Sequence, residues 1–251
     1  MSERVDIIIP TLGLDSKDIT IISIKSFLRF NDGFDFKIHV VENSEEVSHK
    51  DEILSLSNNI NWIQNPIGVG GSPANGLAIK RGLEDVESDF VFMAHNDVAA
   101  CHPNWMKYLY DKIKYEDHYL CGFALDPGRI NAIHIAGMLM KTELANVVDV
   151  CDFNASGQPL DVGDNFTQYC RNNNLKYFCT PNTRGNHEDW ALERCKEPFR
   201  SFPWAARGLD EDNNVLYMHL GRGTPRTHKT QNKPDWIPIS QWIAFIEGNI
   251  L

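Results

Sequence analysis

The chain has 251 residues, 42% of them hydrophobic and 23% charged, with 24 basic against 34 acidic side chains and a formal net charge of −10. That composition excludes a disordered chain and allows a sizeable core, while the acidic balance argues against a nucleic-acid partner, whose phosphates the global field repels. No apolar run nears the ~20 residues that span a bilayer, the charged start does not read as a secretory signal, and six cysteines without a C-x-x-C pair predict a reduced, cytoplasmic protein with no zinc site.

In chain order, residues 5–10 (V-D-I-I-I-P) are a short strand-type run. Ser16 is placed to cap a helix whose apolar Ile19, Ile22, Phe27 and Phe30 fall near one face. Residues 37–41 predict a second strand, 50–56 a short helix and 60–64 a third strand. Ser72 and Pro73 open another helix, with Ser72 as cap and Pro73 at the first helical position, where a missing N–H costs nothing. Residues 90–94 (F-V-F-M-A) are apolar nearly throughout, as expected of a strand covered on both faces. This alternation predicts an α/β fold, a mostly parallel sheet flanked by helices.

Beyond Pro103, the residues Trp105, Met106, Leu109 and Ile113 mark a buried helical stripe. The next stretch is less regular, with a strand predicted at 133–140, a helix at 162–173 and a strand at 175–179. Residues 181–238 are rich in Pro, Gly, Asn and charge and predict long loops holding one short strand at 215–218. Residues 237–251, carrying Trp242, Ile243, Phe245 and Ile246, predict a terminal docking helix.

In an open parallel sheet, ligands bind outside the carboxyl ends of the strands. A polar group follows each of the first four strands here: Thr11, then Glu42-Asn43-Ser44, then Asn65, then His95-Asn96-Asp97. Parallel strands put all four along one edge. Turn chemistry alone accounts equally well for Asn43 and Ser44, but less well for Asp97, which follows the most apolar strand and lies beside His95. Gly68-Val-Gly70-Gly71-Ser72, ahead of a helix, suits an anion at a helix N-terminus, without the spacing of a Walker loop or a dinucleotide fingerprint. Between Tyr217 and Pro234 there is no acidic residue, while His219, Arg222, Arg226, His228, Lys229 and Lys233 are present, a local charge inversion suited to phosphate oxygens. His187-Glu188-Asp189 reads as a solvated turn, because adjacent residues rarely converge on one ion.

V-D-I-I-I-P-T at 5–11, V-V-E-N-S at 40–44, N-P-I-G-V-G-G-S-P-A-N-G at 65–76, and F-V-F-M-A-H-N-D-V at 90–98 followed by P-N-W at 103–105 resemble, in order, successive blocks of family 2 glycosyltransferases. G-M-L-M-K at 137–141, D-V-G-D at 161–164 and M-H-L-G-R-G-T at 218–224 resemble its later, weaker parts. The resemblance implies a GT-A-type, Rossmann-like fold, a nucleotide-diphosphate-sugar donor, a divalent metal (Mn²⁺ or Mg²⁺), a carbohydrate or glycolipid acceptor, and transfer with inversion. It places Pro10, Thr11, Glu42, Asn43, Asn65, Gly68, Asn75, Asn96 and Arg222 around the nucleotide sugar. Asp97 becomes the principal metal ligand, with His95 and His219 beside it, and Asp161 or Asp164 the catalytic base. One of those two carboxylates is expected to face the site while the other caps a helix.

Three departures accompany it. His95 stands at the first acidic position of the family's D-x-D, Glu42 replaces a more frequent Asp, and D-V-G-D replaces an E-D pair. Histidine ligands favour Mn²⁺ over Mg²⁺. The implied organisation is one domain, with a nucleotide-sugar-binding half at 1–100, an acceptor-binding half at 101–235 and a terminal helix at 236–251 that leaves room for peripheral membrane contact. Two alternatives remain at this point. One is a non-catalytic sugar-nucleotide-binding module of the same fold. The other is a sugar nucleotidyltransferase, which needs a basic Gly-rich loop after the first strand, where Thr11-Leu-Gly-Leu-Asp15 has no basic residue.

Overall fold

The computed structural model describes residues 3–126, 129–153, 160–183, 192–202, 205–221 and 237–251. Strands β1 (Arg4–Thr11), β2 (Asp35–Glu42), β3 (Ile60–Gln64) and β4 (Phe90–Ala94) pair in parallel in the order β3-β2-β1-β4. Their crossovers carry helices α1 (Lys17–Arg29), α2 (Lys50–Leu54) and α3 (Gly71–Leu83). Then follow β5 (Val98–Ala100), α4 (Trp105–Lys114), β6 (Leu120–Gly122), the hairpin β7 (Leu125–Asp126) and β8 (Ala132–Ile133), and β9 (Gly137–Lys141). Helix α5 (Asp164–Asn172), β10 (Tyr177–Cys179), β11 (Ala206–Leu209), β12 (Val215–His219) and α6 (Ile239–Asn249) complete the described elements. The main sheet runs β10-β6-β9-β4-β1-β2-β3, with β9 antiparallel to both its neighbours, and a smaller sheet runs β11-β12-β5.

Each face of the main sheet is covered, which is why its central strands are apolar on both sides. Ile7, Ile9, Ile38, Val40 and Phe92 face Ile24 and Phe27 of α1 and Trp105 and Leu109 of α4. Ile8, Val41, Val91 and Met93 face Ala78 and Ile79 of α3 and Phe166 of α5. A third layer packs the small sheet and α6 onto the outer side of α1 through Ile19, Ile22, Met218, Trp242 and Ile246. Helix α1 is therefore buried on two sides, and its apolar residues do not reduce to the one face that the sequence suggests. The terminal segment docks within the chain as expected, and Arg29 Nη1 donates to the Leu251 carbonyl at 3.0 Å. Among the described residues, no helix is long and apolar enough to cross a membrane.

Three boundaries differ from the sequence reading. Helix α3 starts at Gly71 behind Gly70 as N-cap, so Ser72 is not the cap and Pro73 lies third in the helix. Gly71 has φ of +69°, a left-handed value that only glycine adopts freely, and this sets the sharp entry. Ser16 is at the N-cap of α1, yet its hydroxyl turns back to donate to the Leu12 carbonyl at 2.9 Å. The single strand predicted at 133–140 is divided between β8 and β9, because Gly137 begins a new antiparallel pairing with Ala94.

The strand order reverses direction between β1 and β4: the crossover from β1 leads to β2 on one side, and the crossover from β3 returns to β4 on the other; such a switch point opens a crevice at the carboxyl ends. Pairing of β1 with β4 stops at Ile8–Met93, whereas pairing with β2 continues to Thr11–Glu42. Thr11 turns its carbonyl toward β2, where Asn43 N–H donates to it at 3.0 Å. Pro10 consequently faces β4 with a nitrogen that cannot donate, and the two strands part there.

At the opposite end of β1, buried Asp6 accepts from His39 Nε2 at 2.8 Å and from Ser88 N–H at 2.8 Å. Burial alone pushes this carboxyl up, but the hydrogen bonds from His39 and Ser88 outweigh it and hold Asp6 at about 2, against 3.8 for a free side chain. A lowered folded-state value stabilises the fold above the unfolded value and loses that contribution as pH falls toward the folded one. From about pH 5 to pH 2, Asp6 therefore withdraws about 2 kcal/mol of stability. Urea titrations across that range should show this part of the acid limb missing in Asp6→Asn.

Candidate functional site

The four polar groups predicted to share an edge do lie at the carboxyl ends of four parallel strands. Thr11 and Asn96 meet through α1. Thr20 Oγ1 donates to the Ser16 carbonyl at 2.8 Å, so the Thr11 hydroxyl 3.0 Å away must donate to it, and Asn96 Nδ2 approaches the same oxygen at 3.4 Å. Asn43 and Asn65 join β2 to the loop after β3: Asn65 Nδ2 donates to Asn43 Oδ1 at 2.9 Å, and Asn43 Nδ2 to the Ala74 carbonyl of α3 at 3.1 Å. Gly68 lies on the exposed loop between them, with open space where a side chain would be. Pro10 is buried in β1.

Glu42 is 0% exposed. One carboxylate oxygen accepts from Gly13 N–H at 2.8 Å and Ser44 N–H at 2.7 Å, and the other faces His49 Nε2 at 3.2 Å. Its oxygens are turned into the protein, and the surface above them is made by the backbone they hold.

After β4, the His95-Asn96-Asp97 turn leads straight into β5, which pairs antiparallel with β12 and sets His219 opposite Val98. Leu220 N–H donates to the Asp97 carbonyl at 3.0 Å and locks the two segments together. His219 Nε2 thereby lies 3.2 Å from Asp97 Oδ1, both side chains buried, yet it makes no hydrogen bond. One ligand atom from each of His95, Asp97 and His219 falls within 4.8 Å of the others. His95 Nε2 is 2.8 Å from the Asn75 amide at the start of α3, so the predicted Asn75 also belongs here. Two imidazoles and one carboxylate around an unbonded buried nitrogen fit a divalent transition ion.

The residue that the sequence did not disclose is His134, just after β8. Its ring lies 5.6 Å from that of His95 and 5.2 Å from that of His219, centroid to centroid. Ala136 N–H donates to its Nδ1 at 3.2 Å, which leaves Nε2 as the protonated nitrogen of the neutral ring. No local motif signals it; only the folding of the β7–β8 hairpin beside β4 brings it in.

The segment with Asp161 and Asp164 packs against α3 and against Ile135, the residue after His134. A Cβ on Gly76 of α3 would lie 3.4 Å from Val162, and one on Gly163 only 2.5 Å from Ile135, the neighbour of His134. The two aspartates have different surroundings. Asp164 is fully buried, accepts from Asp161 N–H at 2.9 Å and meets Arg129 at 3.7 Å. Asp161 is partly exposed, accepts from Val162 N–H at 2.8 Å and pairs with Arg129 Nη1 through its other oxygen. Neither carboxylate caps α5, whose N-cap is Gly163 with no side-chain hydrogen bond; Asp164 is turned inward and Asp161 stays partly exposed.

All six cysteines are thiols, and burial raises every one, Cys170 to about 11 and Cys179 to about 12. None supplies a thiolate at neutral pH. A groove of about 1080 Å³ runs beneath the amino end of β4, between residues 80–90 and 141–150, and its lining includes none of the residues above. Arg222, the basic run through Lys233 and His187-Glu188-Asp189 lie outside the described residues.

No protein-family model and no curated protein match the chain. Among solved structures, it is similar to the mannosyltransferase PcManGT from Pyrobaculum calidifontis in complex with GDP-Man and Mn²⁺, with TM-score 0.56, 11% identity and 77% of this chain aligned. It spans 61% of that protein's length. S. aureus TarS in complex with UDP-GlcNAc superposes more loosely, at TM-score 0.44 and 15% identity over 59% of this chain and 48% of that one. Glucosyl-3-phosphoglycerate synthase from Mycobacterium tuberculosis with Mn²⁺ and UDP-glucose does likewise, at TM-score 0.43 and 16% identity over 58% of each chain. Strand order, switch-point crevice and the mannosyltransferase superposition agree: the chain has a GT-A-type fold, like that of the mannosyltransferase.

Proposed function

We propose that the protein is a metal-dependent, inverting glycosyltransferase that moves a sugar from a nucleoside diphosphate to an acceptor hydroxyl. The observation that carries this reading is the convergence of His95, Asp97 and His219 at the switch-point crevice of a GT-A-type sheet. Those three residues would hold Mn²⁺ or Mg²⁺, which when bound neutralises charge on the departing diphosphate. Thr11, Asn43, Asn65, Asn96 and the backbone around Gly13 and Ser44 frame the nucleoside end, with Arg222 available to the phosphates. Asp161 accepts the acceptor proton as general base, its carboxylate oriented by Arg129 and Val162 N–H. A single base and no covalent intermediate give inversion. The acceptor is a carbohydrate or glycolipid, and the setting is cytoplasmic with room for peripheral membrane contact.

A screen of UDP-, GDP-, ADP-, CDP- and dTDP-sugars for metal-dependent donor hydrolysis tests this, followed by transfer to an acceptor panel. Release confined to one base and dependent on the ion supports it; no turnover of any donor overturns it. Asp161 is ion-paired with Arg129, and this favours a second reading, a module that binds sugar nucleotides without transfer. Binding without release in the same screen would select that module.

The donor set also determines metal choice. Two imidazoles select Mn²⁺ over Mg²⁺, so His95→Asp, which restores a paired-carboxylate site, should shift the Mg²⁺/Mn²⁺ affinity ratio by about tenfold toward Mg²⁺. Competition calorimetry measures it, and an unchanged ratio removes His95 from the ligand set.

A further inference from the structure

The least expected polar arrangement outside the metal cluster is the buried pair Glu42–His49. Both side chains are 0% exposed, Glu42 Oε2 faces His49 Nε2 at 3.2 Å, and neither that oxygen nor either ring nitrogen makes a hydrogen bond. The ring of His49 meets Trp62 of β3 edge-on at 5.2 Å. Through its other oxygen, Glu42 ties Gly13, just past β1, to Ser44, just past β2. Its carbonyl also receives Asn65 N–H, just past β3, at 2.8 Å.

An apolar pair would fill this space without desolvating polar atoms. A polar pair does what an apolar one cannot, which is to fix the rotation of the carboxylate. With Oε2 facing the imidazole at an ion-pair distance of 3.2 Å, Oε1 remains on two backbone N–H groups, and the loops that flank the nucleoside end keep their spacing. We propose that His49 is a positioning residue for nucleotide binding, acting through Glu42 on the Gly13 and Ser44 loops. The proposal rests on the reading of the crevice as a nucleotide-sugar site.

The test is titration of the full chain with UDP, GDP, ADP, CDP and dTDP in the presence of Mn²⁺, with thermal midpoints as the folding control. His49→Phe keeps a ring against Trp62 but presents no polar nitrogen to the carboxylate, whereas His49→Gln keeps one. His49→Phe should weaken the preferred nucleoside diphosphate about tenfold, and His49→Gln at most about twofold to threefold. Mn²⁺ affinity and turnover at saturating donor should be unchanged in both. With Glu42→Gln as background, the added loss from His49→Phe should largely vanish, because the two residues act in series. Equal nucleotide affinity in His49→Phe and the wild type overturns the proposal, as does an additive double mutant or a parallel fall in metal affinity. A wild-type protein that binds none of the five diphosphates overturns the nucleotide reading itself, and this proposal with it.

Discussion

Asp97→Asn is expected to abolish sugar transfer, lowering turnover by about 10³-fold or more, while leaving the fold intact. Asp97 is the only carboxylate of the three-residue cluster, and its oxygen lies 3.2 Å from the unbonded Nε2 of His219. An amide has the same shape and keeps the backbone contact between Leu220 N–H and the residue-97 carbonyl. It lacks the charge that draws a divalent ion to the crevice. Mn²⁺ binding measured by calorimetry or electron paramagnetic resonance should disappear together with turnover, and the melting temperature should stay within a few degrees. Full turnover in this variant would remove Asp97, and with it the metal, from the mechanism.

The order of effects among the ligands follows from burial. Asp97 and His219 are buried and face each other, whereas His95 is half-buried and shares its ring with Asn75. Loss of His95 leaves a buried carboxylate–imidazole pair able to retain an ion; loss of Asp97 leaves only neutral donors. Substitution at 95 therefore tunes the choice of metal, and substitution at 97 removes the site.

Much of this crevice was legible because of a simple physical coincidence. Strands buried on both faces are short apolar runs, and in β1, the second half of β2 and β4 the run ends abruptly at the polar group that the fold puts on the crevice edge: Thr11, Glu42 and His95 to Asp97. The edge strand β3 is only partly buried and reaches Asn65 through exposed Gln64. What was not legible depended on contacts between distant segments. The family resemblance alone, and no periodicity, sets His219 beside Asp97: strand β5 is three residues long, too short to show a period, and its pairing with β12 is what brings the two together. His134 arrives on a hairpin whose two strands are two residues each. The family resemblance makes Glu42 a nucleoside contact; a motif carries no information on which way a carboxylate turns, and this one faces Gly13, Ser44 and His49. The entry to α3 was misplaced because the left-handed φ at Gly71 fixes the first turn ahead of the serine and proline signals.

The two carboxylates of D-V-G-D should separate into a catalytic and a structural group. Asp161→Asn is expected to lower turnover by about 10²- to 10⁴-fold with donor affinity and stability retained, since an amide cannot accept the acceptor proton. Asp164→Ala should instead cost about 1–3 kcal/mol of stability, because it strips the acceptor from Asp161 N–H and exposes Arg129 to a missing partner at the buried start of α5. Its turnover, measured below its melting transition, should fall only several-fold, through loosening of Asp161. Urea denaturation and single-turnover kinetics on both variants make the comparison. If Asp164→Ala proves the catalytically dead variant while Asp161→Asn turns over normally, the roles are reversed and the inward carboxylate must reach the acceptor after the Arg129 pair opens. The burial argues against that outcome: Asp164 is fully buried, whereas the Asp161 side chain is partly exposed, where a hydroxyl can approach.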